Sequence, residues 1–221
     1  MPFNVDEFFN VFARYNEAIW PLQIAAYSLG VAIVGLLFWR NRAAGVLITS
    51  GLCVMWLING VGHHWSFFSA LNRPALVFGA GFTAQAAFLL VAPVVFGGLR
   101  FHLTRDARSV AGLILVAFAM VFYPLWGWLT GHSYPAVPVF GVAPCPTTIF
   151  TIGILVLCEW RAARWLLIIP GLWSAIGATA AVLLDVPQDT GLAVALATVL
   201  VFGVGHWRGM GFARHKRLSA G

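Results

Sequence analysis

The chain has 221 residues, 61% of them hydrophobic and only 9% charged, with a mean hydropathy of +0.88. That balance excludes a soluble globular fold, and the net charge of +6, which in a soluble chain would suggest nucleic acid, here marks membrane topology. Cys53, Cys145 and Cys158 form no CxxC pair, which excludes a disulfide framework and a structural zinc finger, and the single lysine, Lys216 in the C-terminal tail, excludes a retinal Schiff base.

Asp6 and Glu7 and the lack of a basic opening argue against a signal peptide. Residues 1–16 instead predict an interfacial amphipathic segment, with Phe3, Val5, Phe8, Phe9, Phe12 and Tyr15 on its apolar face. Asn4, followed three residues later by Glu7, supplies a helix start signal. Seven hydrophobic segments follow, at 18–39, 44–62, 75–99, 109–130, 147–160, 165–184 and 190–207. Most are long enough to cross a hydrocarbon core of about 30 Å. The fifth spans only about 21 Å at the helical rise, so it must meet a polar cavity, extend past its apolar block, or thin the bilayer. Residues 17–208 thus form a seven-helix transmembrane domain, and 209–221 a basic cytoplasmic tail facing anionic lipid.

Charge placement orients this all-α bundle. With seven passes, Arg40, Arg42, Arg100, Arg105, Arg108, Arg161, Arg164, Arg208 and the three cations of the tail fall on one side, and only Arg14 and Arg73 on the other. The positive-inside rule then puts the N-terminus outside and the C-terminus in the cytoplasm, as in a bacterial cytoplasmic (inner) membrane. Eight of the ten tryptophans lie near segment ends, where aromatic belts form.

The polar residues gather at the outer face. Glu17 opens segment one, His63 and His64 close segment two, His132 follows segment four, and Cys145 precedes segment five, while Asp185 and Asp189 flank the last outer loop. Side chains adjacent on a helix diverge by about 100°, which predicts that at most one of His63 and His64 faces the bundle. Pro146 suits the first position of a helix, which puts Cys145 near an N-cap, where the dipole favours a thiolate. The loop before it, rich in proline and aromatics, is expected to fold back over the bundle. Glu17, His64, His132 and Cys145 are therefore the candidate ligand-binding set, with His64, His132 and Cys145 as candidate metal ligands. The bland alternative for each is an interfacial histidine or a tolerated cysteine. A thinner pattern pairs His102 and His206 at the inner face with His64 and His132 at the outer, a layout that would suit two haems. Glu159 is expected to pair with Arg161 or Arg164, and no GxGxxG, P-loop, HExxH or Ser-His-Asp arrangement occurs.

The blocks "FARYNEAIWPLQ" (12–23), "NGVGHHWSFFSALN" (59–72), "GHSYPAVPVFGVAPCPTTIFT" (131–151) and "LWSAIGATAAVLLDVPQDTGLAVA" (172–195) together resemble a family of uncharacterised bacterial multipass membrane proteins, a domain of unknown function. The resemblance covers most of the chain and implies a membrane protein, with no activity attached. In that family pattern a Tyr-His pair precedes the tryptophan; here His63 replaces the tyrosine and His64 holds the histidine position. The leading expectation is a protein that binds or transports a metal ion or small polar solute through an outward-facing pocket. The alternatives are a membrane oxidoreductase with bound metal or haem, a thiol catalyst using Cys145, or an accessory subunit of a larger complex. The lipid bilayer is the expected partner, along with a homo-oligomer or larger membrane assembly, and nucleic acid is not.

Overall fold

Every regular element is a helix in the computed structural model, which describes residues 3–39, 41–184 and 186–203 (of Ala180, the backbone only). Helices run α1 Val5–Ala18, α2 Leu22–Leu36, α3 Arg42–Ala70, α4 Ala75–Val95 and α5 Ala107–Leu129. They continue as α6 Pro144–Leu155, α7 Trp160–Leu166, α8 Ile168–Leu183 and α9 Pro187–Gly203. Among the described residues, α3, α4 and α5 are long and apolar enough to cross a membrane, and the number rises to five if each of two bent pairs, α1 with α2 and α7 with α8, counts as one span. Valines and leucines such as Val77, Leu90 and Val94 on α4 point outward, as a lipid-facing surface requires. Arg40, Asp185, His206 and the basic tail from 209 lie outside the described residues.

Helix α1 begins on the expected signal. The Asn4 side chain accepts from the Glu7 N–H at 2.8 Å, and Glu7 Oε2 accepts from the Asn4 N–H at 2.9 Å, a reciprocal capping box. Its aromatic face is not spread on lipid, however. The bend to α2 is 87°, so α1 lies across one end of the bundle and buries Phe8, Phe9, Phe12 and Tyr15 against protein. Residues 1–16 are therefore no separate interfacial unit where they are described: the boundary falls inside α1, and its rings share a cluster with Phe68, Ala143 and Leu184.

The short fifth segment is explained by its place. In α6 every residue but Cys145 is buried, and it packs against α3, α5 and α8. A helix surrounded by protein need not span the hydrocarbon core, because its neighbours, not lipid, meet its ends. It crosses α5 where Gly112 faces Gly153; a Cβ on either would sit 2.7–2.8 Å from the other's carbonyl oxygen. Such small-residue contacts replace the hydrophobic driving force that is weak between helices in lipid.

The two ends of the bundle differ. At one, residues 97–106 return beside the chain after α6: Phe101 bridges Cys158, and Arg108 Nη2 donates to the Cys158 carbonyl at 3.1 Å. Glu159 does not pair with Arg161 or Arg164 there; it lies 3.6 Å from His102 Nε2, because the return loop brings that ring alongside. At the other end, the proline-rich loop 131–143 folds back under α1. Asn16 Nδ2 donates to the carbonyls of Pro135 and Val137 at 2.7 and 2.8 Å, and Tyr15 Oη donates to that of Val142 at 3.0 Å.

Candidate functional site

Helix α3 changes character before it reaches the α1 end. Over Ile58–Phe67 it is a π-helix, with the wider i→i+5 bonding: the N–H of Phe68 reaches the carbonyls of His63 and His64. The wider turn reduces the angle between adjacent side chains. Both His63 and His64 are buried and face one cavity, against the expectation that only one would. Asn59 anchors this stretch from behind: its Nδ2 donates to Met55 O at 2.8 Å, Gly141 O at 3.3 Å and Thr147 Oγ1 at 3.2 Å.

The cavity holds about 210 Å³. Phe3, Phe8 and Phe12 of the N-terminal segment close one wall, and Phe68 and Phe78 supply rings from α3 and α4. Cys145 enters from the first turn of α6, Trp173 and Gly177 from α8, and Asp189 from the start of α9. His63 stacks between Phe12 and Phe68, at ring-centroid distances of 4.9 and 5.5 Å. His64 sits 5.0 Å from His63, 4.8 Å from Phe82 and 5.2 Å from Trp173.

Several polar atoms on the residues lining this cavity are unpaired. His64 is 1% exposed, and neither of its ring nitrogens has a hydrogen-bond partner. The same holds for His63 Nδ1 and for the Trp173 indole N–H, which has the weakly accepting Cys145 sulfur near it without hydrogen-bond geometry. Asp189 is better provided for: Tyr123 Oη donates to its Oδ1 at 2.6 Å, and the Cys145 thiol lies beside it. A buried polar group left without any partner, protein or water, costs about 1–3 kcal/mol.

The structure divides the sequence's candidate set. His64 and Cys145 line the cavity; Glu17 and His132 do not. Glu17 is exposed on the last turn of α1. His132 stacks on Phe9 at 4.1 Å, whereas Phe8 and Phe12, the adjacent row of α1, face the cavity. The proposed metal set of His64, His132 and Cys145 is therefore not brought together, because α1 puts His132 on a different row of rings from the cavity. Among the described residues no three His, Cys, Asp or Glu side chains are grouped to hold a metal ion. For the two-haem layout, His102 is engaged by Glu159 and His206 lies outside the described residues. Cys145 is the second residue of α6, after Pro144, not its N-cap, which is Ala143.

The sequence places His63 and Asp189 at the outer face but outside the candidate set, and it does not single out Trp173. Nothing in the local sequence signals a π-helix, and Asp189 reads as a loop residue until the 3₁₀ turn Pro187–Asp189 folds it inward. No curated protein and no solved structure matches the chain. A family model does, that of a family of unknown function (DUF6064), over residues 5–214, and the chain belongs to that family.

Proposed function

We propose that the chain is a multipass membrane protein that binds, and in a transport cycle would carry, a small molecule in the cavity between α1, α3, α6 and α8. The observation that carries this reading is His64: an imidazole 1% exposed, with both nitrogens unpaired, facing an aromatic-walled space of about 210 Å³. The finer topology, seven passes with the N-terminus outside and the C-terminus cytoplasmic, rests on the partition of basic residues, and it makes the cavity outward-facing in a bacterial cytoplasmic membrane. The burial of α6 supports the same reading, since a short helix inside protein can complete a pass.

Access to the cavity is tested through its own thiol. Native membranes are treated with N-ethylmaleimide and the adducts mapped by mass spectrometry. Cys145, which lines the cavity, is modified, while Cys158, which is fully buried in the core, is not. A Cys145 that reacts only after unfolding means that the cavity is closed to small molecules, and the reading falls.

A further inference from the structure

We infer that the ligand is a single uncharged ring, aromatic or quinonoid, that carries carbonyl or hydroxyl oxygens; this rests on the cavity being a ligand site. Size comes first. A cavity of 150 Å³ accepts benzene, and this one, at about 210 Å³, has room for one substituted ring. The walls come second. Phe8, Phe12, Phe68, Phe78 and Trp173 offer faces and edges to a planar ring, which gains from stacked or edge contacts beyond its buried area.

The polar atoms then select among ring chemistries. The Trp173 N–H can only donate, so its partner must present an acceptor. A neutral imidazole has one donor and one acceptor and can exchange them between tautomers, so His64 suits a carbonyl or a hydroxyl equally well. An organic cation is the competing class, since aromatic faces and the Asp189 carboxylate would both attract it. An ammonium, however, has no acceptor for Trp173, and the carboxylate already receives the Tyr123 hydroxyl at 2.6 Å. An anion fares worse, because among the described residues no lysine or arginine lines the cavity and Asp189 does. An uncharged oxygenated ring is the class that meets the unpaired atoms without a charge penalty.

Three probes of similar size separate these classes by equilibrium dialysis against the full chain in detergent: duroquinone, its oxygen-free counterpart durene, and benzyltrimethylammonium. Duroquinone is expected to bind at least about tenfold more tightly than durene, the effect of one to two added hydrogen bonds. His64→Phe, which keeps the ring and removes both nitrogens, should remove most of that preference, and only the double variant with Trp173→Phe should bring duroquinone to the level of durene. Trp173→Phe should remove part of the preference. A thermal midpoint at or above that of the parent shows that the His64→Phe chain is folded. Durene binding as tightly as duroquinone, or displacement of both by the cation, overturns the ring chemistry and leaves the cavity as a ligand site. Saturable binding by none of the three overturns the ring class and counts against the site itself.

Discussion

The two ends of the bundle treat their polar groups in opposite ways. At the end where α4 returns toward α5, several of the described polar side chains have partners within the chain. Asp106 accepts from the Ser109 N–H at 2.8 Å and from Thr104 Oγ1 at 2.7 Å, Arg108 reaches the Cys158 carbonyl, and His102 faces Glu159. At the α1 end, Asn16 Nδ2, Asn59 Nδ2 and the Tyr123–Asp189 pair are matched, but His63, His64 and Trp173 converge on a cavity with nitrogens unmatched. Both ends are built from similar helices, so propensity does not account for the contrast. The same fold matches polar groups at one end and leaves several open at the other.

The largest effect should come from the residue that keeps the open end in shape. Asn59→Ala removes three hydrogen bonds, two of which tie the π-helical stretch to Gly141 and Thr147. A loss of about 2–3 kcal/mol is expected from net hydrogen-bond values near 1 kcal/mol each. Unfolding in detergent micelles followed by circular dichroism measures it. Hydrogen exchange should show the loss concentrated around residues 58–68 and 141–147, with the Phe101–Cys158 bridge unchanged; a uniform loss would mean that the ends are not independent.

A smaller effect, of opposite sign, tests the contrast directly. His64→Phe in the ligand-free protein replaces an unpaired imidazole by an apolar ring among Phe82, Phe78 and Trp173. Relieving an unsatisfied buried group should stabilise the chain by about 1 kcal/mol. Destabilisation of that size would show that His64 already has a partner in the native state, and the two ends would then be alike.

Much of the frame can be read directly from the sequence, and most of the site cannot. Each hydrophobic block contains a helix, and Asn4 and Glu7 mark where α1 starts, because apolar runs and capping pairs are local signals. Depth along a helix follows from position in the chain, so the order of residues alone assigns His64 and Cys145 to the same end. Azimuth does not follow. His132 and Glu17 share that depth yet turn elsewhere, His132 onto Phe9 and Glu17 to the surface. The π-helix that brings His63 in beside His64 comes from tertiary packing against α4, and the inward turn at Asp189 depends on Tyr123, 66 residues away.

The smallest effect belongs to the satisfied end and carries a pH signature. Asp106 caps α5; its hydrogen bonds from the Ser109 N–H and the Thr104 hydroxyl, with Arg108 nearby, hold its carboxyl below the usual carboxylate range. A carboxyl whose folded value is depressed stabilises the fold fully above its unfolded value, near 3.9. That contribution fades as the pH falls toward the folded value and is gone below it. Asp106→Asn, which keeps a capping oxygen but cannot ionise, should therefore lower the thermal midpoint slightly at pH 7 and not at all at the acid end of the range. The cap is solvent-exposed, so salt should shrink even the neutral-pH difference. A difference between parent and variant that stays constant across that range would remove the charge from the account and leave only the hydrogen bonds. If the difference instead follows the expected course while the midpoint gain from His64→Phe persists at neutral pH, the polar groups at the two ends differ as the geometry says: one set is matched within the chain, and the other is not.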